Sequence, residues 1–200
     1  MKRISVLSVL AGVALFTAAC AKEPTEALTA AKTALEAAKT AEAGDYAPEA
    51  LAAAETAQAA LEAELKAQGE KFALTRSYTK ATELATAAKA AAESAATAAA
   101  AGKEAMKAEA TALVAGVRTA VEATKQVLAK APKGKGSAAD LEAMNADVAA
   151  VEASLAEMDA ALAGGKYKDA KAKAEAAKAT LDKIAADVQA AIDAKKGAKK

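Results

Sequence analysis

Residues 141–162 read LEAMNADVAAVEASLAEMDAAL. Leu141, Met144, Val148, Val151, Leu155, Met158 and Leu162 recur at alternating steps of three and four. That is a 3.5-residue repeat, the signature of a helix whose apolar seam faces a partner in a left-handed coil. Gly164-Gly165 ends the segment as a turn, and a further helix to about residue 194 answers with Ala170, Ala174, Ala177, Leu181, Ile184 and Val188 at the same spacing. Two helices joined by so short a turn pack antiparallel.

The same reading extends towards the N-terminus. Pro132-Lys133-Gly134-Lys135-Gly136 is the clearest loop, and Ser137 can cap the helix behind it. Residues 103–131 are helical in pattern, and Gly102 is a candidate kink between them and a helix that starts near Thr75 and continues past Ala100. A second helix opens at Pro48, whose missing N–H costs nothing in a first turn. It carries a weaker seam, Leu51, Ala54, Gln58, Leu61, Leu65, Gln68 and Phe72, with Gly69 as a stop. A first helix covers residues 25–43 and ends at Gly44 and Asp45.

Composition agrees. Alanine fills 69 of 200 positions, with no Trp or His, three Tyr and two Phe. Alanine has the highest helix propensity, and a chain so poor in bulky side chains cannot fill a broad core. The expected fold class is all-α, an elongated antiparallel helical bundle or coiled coil. An internal repeat divides it. Thr33-Ala-Leu-Glu-Ala-Ala-Lys39 parallels Thr119-Ala-Val-Glu-Ala-Thr-Lys125, Leu51 parallels Leu141, and Tyr78 parallels Tyr167, at offsets of 86, 90 and 89. The expectation is two three-helix units in tandem, residues 25–101 and 102–194, joined by one long helix over residues 75–131 of roughly 85 Å.

The first twenty residues carry an address. Lys2 and Arg3 precede an apolar run over residues 4–16, and the small residues Thr17, Ala18 and Ala19 lead to Cys20. This is the order of a secretory signal, and thirteen apolar residues make about 20 Å of helix, short of the roughly 30 Å needed to span. The small residues before Cys20 resemble the lipobox of bacterial lipoproteins, with Thr17 where that family usually has Leu. The resemblance implies cleavage after residue 19 and acylation of Cys20, with residues 20–24 as a tether. The alternative is plain cleavage after Ala21 at an A-x-A site. By the same resemblance, Ala21 behind the cysteine implies delivery to the outer membrane, facing the periplasm, where the organism has one. Cys20 is the only cysteine, so it has no intrachain disulfide partner.

Function classes narrow further. The net charge is +1, and −1 without Lys2 and Arg3, so there is no basic face for nucleic acid. Without histidine the commonest general base is missing, and no CxxC, P-loop, G-x-S-x-G or G-x-G-x-x-G occurs. Carboxylates such as Glu62, Glu64, Asp140, Glu142 and Asp147 lie among lysines and read as solvated faces. No catalytic residue, metal or cofactor is expected. Tyr46, Tyr78 and Tyr167 stand near turns or helix starts, either as partner contacts or as rings packed over bundle ends. Lys195, Lys196, Lys199 and Lys200 form a basic tail over residues 195–200, suited to an anionic surface or cell wall, or merely solubilising.

The segment Ala43-Gly-Asp-Tyr-Ala-Pro-Glu-Ala-Leu-Ala-Ala-Ala54 resembles alanine-rich bacterial lipoproteins that carry a helical domain of unknown function. The resemblance covers roughly residues 24–100, and implies a cell-envelope role without supplying catalytic residues. More distantly the chain is similar to the small alanine-zipper murein lipoproteins, in which a C-terminal lysine is joined to peptidoglycan; Lys200 would be its counterpart. The expected function is a non-enzymatic helical spacer or scaffold, anchored to the membrane through its N-terminal lipid. A helical protein-binding module of partner or chaperone-like kind and an alanine- and lysine-rich stress protectant are the alternatives. Peptidoglycan, another envelope protein and a second copy of the chain are the candidate partners.

Overall fold

In the computed structural model the chain is all-α. The structure describes residues 22–132 and 138–197; the signal segment, Cys20, the cap expected at Ser137, and Lys199 and Lys200 lie outside the described residues. The helices are α1 (Thr25–Thr40), α2 (Ala43–Tyr46), α3 (Pro48–Gly69), α4 (Thr79–Ala129), α5 (Ala138–Ala163) and α6 (Tyr167–Gly197), with a 3-10 turn at Ala73–Thr75. The chain divides into two compact units, Met1–Ala100 and Ala101–Lys200. Helix α4 contributes residues to both and is helical through Gly102.

The first unit packs α1, α3 and residues 79–100 of α4. The fully buried positions of its seam on α4 are all alanine, Ala81, Ala85, Ala88, Ala92, Ala95 and Ala99, with half-buried Leu84 beside them. Larger side chains come from the other two helices. Leu28, Leu61 and Ala81 share one cluster, and Leu35, Ala54 and Ala95 another. Moving along α1 from Leu28 to Leu35 moves back along α3 from Leu61 to Ala54, so these helices run antiparallel.

The second unit packs residues 101–129 of α4 with α5 and α6. Val114, Val117, Val121 and Leu128 meet Val148, Val151 and Met158, and α6 closes the core with Ala174, Ala177, Leu181, Ile184 and Val188. All six seam residues expected on α6 are buried. Ion pairs on the rim hold the register. Arg118 Nη2 donates to both oxygens of Asp159 at 2.5 Å, and one heptad along, Lys125 pairs with Glu152. Lys173 pairs with Glu157, and Lys171 with Glu109 at 2.6 Å. Such exposed pairs contribute little energy, but they distinguish the correct antiparallel register from a slipped one.

Threonine, an indifferent helix former, stands at exposed positions of these helices where its hydroxyl turns back on the helix. Thr29, Thr56, Thr86, Thr97 and Thr111 each donate to the carbonyl four residues earlier. Gly165 is needed at its turn. At φ 73° it lets Lys166 N donate to Ala161 O and Gly165 N to Leu162 O, which closes the end of α5 as a Schellman motif.

Four expectations change. The first helix ends at Thr40, not residue 43, because Glu42 turns left-handed at φ 60° and Gly44 falls inside α2. The long helix starts at Thr79 rather than Thr75, since the chain from Phe72 to Arg76 is extended around a 3-10 turn. Phe72 leaves the α3 seam altogether: α3 ends at Gly69, and Phe72 is 72% exposed. Helix α6 runs to Gly197, so Lys195 and Lys196 occupy its last turn, where their charge suits the helix C-terminus, rather than a separate tail.

Leu61 is 1% and Ala95 0% exposed, and they test the two kinds of packing in the first unit. Leu61→Ala is expected to lower stability by about 2–5 kcal/mol by leaving a cavity, and Ala95→Leu by about 1–3 kcal/mol by forcing helices apart. Urea melts followed by circular dichroism measure both.

Candidate functional site

The residues that separate this chain from a plain coil gather at one end of the first unit. There the end of α3, the 70–78 connection and the first turn of α4 meet the start of α1, around a cluster holding Leu28, Leu61 and Ala81 with Leu65 and Tyr78 against it. Gln68 is the buried centre of this end, 5% exposed. Its Nε2 donates to Glu64 Oε1 at 2.6 Å, and its Oε1 accepts from Ser77 N at 3.0 Å. Glu64 in turn pairs with Lys80 at 2.9 Å. Arg76 closes the other side, donating through Nε to Lys71 O and through Nη2 to Gly69 O, so it satisfies carbonyls that the end of α3 leaves open. The connection is therefore braced from inside by polar contacts, while Phe72 and Leu74 point away from the core at 72% and 67% exposure.

Hydrogen bonding from Gln68, then Lys80, holds the Glu64 carboxyl below its ordinary range. Hydrogen bonds from Lys173 and from Gln189 do the same for Glu157 and Asp193. Arg118, Lys125 and Lys171 are raised, each first by its hydrogen-bonded carboxylate. Each of these shifts deepens the charged state. General acid–base catalysis draws on groups moved the other way, towards neutrality near working pH. Glu62 accepts from Gln58 Nε2 at 2.9 Å, so Glu62 and Glu64 are both engaged by α3 glutamines rather than simply solvated. Among the described residues no group of three or more His, Cys, Asp or Glu is placed to hold a metal ion, and no helix is long and apolar enough to cross a membrane.

Within the first unit Tyr46 and Tyr78 do not converge. Tyr78 packs half-buried at the Gln68 end; Tyr46, also half-buried, packs on the opposite cluster with Leu35 and Ala54; Tyr167 opens α6 in the second unit. Lys196 lies 3.4 Å from Asp193 in the last turn of α6, beside Lys195. A trough of about 660 Å³ runs between α1 and α4, floored by Ala30, Ala34, Ala37 and Ala96 and edged by Lys89 and Glu93.

Compared with known proteins, the chain matches no family model, no curated protein and no solved structure. Sequence reading missed the loop that exposes Phe72 and Leu74. The available signal was Gly69: beyond a helix stop the seam period no longer applies.

The Glu64 shift fixes a sign. A carboxyl held lower in the folded than in the unfolded chain contributes stability above its unfolded pKa and loses it as pH falls through the folded value. Acidification below about pH 4 is thus expected to speed exchange of the Ser77 amide, corrected for intrinsic chemistry, whereas mild alkali leaves it unchanged. Gln68→Ala is expected to produce the same loosening at neutral pH, with a stability loss of about 1–3 kcal/mol.

Proposed function

We propose that this chain is a non-enzymatic lipoprotein of the bacterial cell envelope, a helical spacer or scaffold hung from the membrane by acyl chains on Cys20. The observation that carries this reading is the order of the first twenty residues: two cations, an apolar run too short to span, three small residues and the chain's sole cysteine. Cys20 has no competing role as a disulfide or metal ligand within the chain. Multiple acyl chains make such anchoring stable, because each buried methylene contributes about 0.8 kcal/mol. The resemblance to alanine-rich envelope lipoproteins and the Ala21 position support an outer-membrane, periplasm-facing placement.

The architecture suits a spacer. Helix α4 has 51 residues in one element, a contour of about 77 Å at 1.5 Å per residue. Inter-helix ion pairs such as Arg118 with Asp159 and Lys171 with Glu109 use charge to hold helices in register, as fits a structural protein. Lys195 and Lys196, with Lys199 and Lys200 beyond them, supply positive charge at the end remote in sequence from the lipid, suited to ionic contact with an anionic envelope surface. Covalent attachment of Lys200 to peptidoglycan is the stricter form of that contact.

The α1–α4 trough favours one second reading, a module that receives a helix of another envelope protein. Its alanine floor admits close approach of a helical ligand. In intact cells, a scaffold cross-links broadly, whereas a module gives one stoichiometric protein partner.

Fractionation with intact-mass analysis tests the main reading. The expected product sits in the membrane fraction and begins at an acylated Cys20. A soluble, unacylated product beginning at Lys22 would contradict it. Removal of the gene is expected to reduce resistance to detergent and osmotic stress, and unchanged resistance and membrane-to-wall spacing would count against a spacer.

A further inference from the structure

Phe72 and Leu74 are the exposed large hydrophobic residues among those described. Their exposure is built. Phe72 is extended, its carbonyl accepts from both Thr75 N and Thr75 Oγ1 at 2.8 Å, and the ends of the connection are tied to α3 by Gln68 and Arg76. A connection braced in this way holds both apolar side chains outward.

Its place in the fold says what lies opposite. The first turn of α1 packs at this same end, with Leu28 against Leu61 and Tyr78, and α1 begins at Thr25. Cys20 is five residues earlier in sequence, and five residues of extended chain span at most about 18 Å. Lys71 and Arg76 flank the apolar pair in sequence, with Glu70 beside them, and Glu23 and Glu26 stand at the start of α1. An apolar tip with a cation on either side, within a short tether of a lipid anchor, matches an interfacial membrane contact.

We propose that the 70–76 loop docks on the lipid surface from which Cys20 is hung, with Phe72 and Leu74 among the acyl chains and Lys71 and Arg76 at the headgroups. This rests on the lipid-anchor reading above. Two side chains alone are too few to recruit a protein to a bilayer. Once the anchor is in, the contact is intramolecular and its effective concentration is high. The consequence is orientation: the anchored end of the first unit sits against the membrane in one pose instead of swinging on a leash.

The test uses the absence of tryptophan from the chain. Phe72→Trp is introduced into the mature chain starting at Cys20, whose helices and apolar clusters all lie within residues 25–197. The sole thiol is coupled to a maleimide-bearing lipid in vesicles of phosphatidylethanolamine and phosphatidylglycerol. Tethering is thus independent of natural acylation, which mass analysis of the native protein decides separately. The expected result is a blue-shifted emission that loses at least about half its intensity when the acyl chains are brominated, as for a ring buried in the acyl boundary. Leu74→Trp should behave alike, and Tyr46→Trp, on the opposite cluster of the same unit, should not respond. Circular dichroism confirms folding of each variant. Emission of Phe72→Trp that ignores bromination and stays open to aqueous quencher would overturn the proposal. Shielding from aqueous quencher without quenching by brominated lipid would also overturn it, and would assign the loop to a protein contact.

Discussion

Helices approach closely only where the side chains between them are small, and this chain commits the buried face of residues 81–99 of α4 to that rule. From Ala81 to Ala99 each buried seam position is a single methyl group. A methyl buries about one carbon where a leucine buries four, so each contact releases little apolar surface, and the gain comes from dense backbone-to-backbone packing repeated along the helix. The arrangement is directional. It works between long helices in one register. The larger residues that α1 and α3 supply, such as Leu28, Leu35 and Leu61, fit this frame at intervals and fix which heptad meets which.

The second unit solves the same problem with more volume. Val114, Val117 and Val121 replace alanine on α4, and Met158 and Leu181 fill the centre. Rim pairs one heptad apart, Arg118 with Asp159 and Lys125 with Glu152, then discriminate register more than they add stability. The contrast places the polar exceptions in the first unit in context. Gln58 and Gln68 stand in seam positions where an apolar residue would be stronger. Gln68 is recompensed by Glu64 and Ser77, whereas Gln58 Oε1 is buried without a partner. At Gln68 the weaker seam of α3 is thus a local sacrifice at an end organised for a connection, whereas Gln58 weakens the middle of the helix without that return.

Much of this was legible in the sequence because period and propensity agree. The α6 seam was readable to the residue, and so was α5 from Leu141 to Leu162, where partly buried Leu141, Met144, Leu155 and Leu162 flank buried Val148, Val151 and Met158. What failed was local and tertiary. Phe72 continued the arithmetic of the α3 seam, but the helix that gave the arithmetic meaning had ended at Gly69. The left-handed turn at Glu42 carries no sequence signal, since glutamate there is an exception rather than a rule. Gln68 was readable as a seam residue but not as the brace of a loop, because its partner Ser77 is set by how the chain returns and not by spacing. The candidate membrane loop was hidden for the same reason: only the fold brings it beside the start of α1.

Amide hydrogen exchange of the mature chain tests most directly whether alanine seams hold the first unit together. Helix α1 has 16 residues, and a helix of that length is marginal on its own in water. Slow exchange of the seam-facing amides of α1, α3 and residues 79–100 of α4, rising together with denaturant as one cooperative step, is the predicted result. Rapid exchange throughout α1 while α4 stays protected would show that methyl-lined contacts do not bind these helices, and would contradict the account.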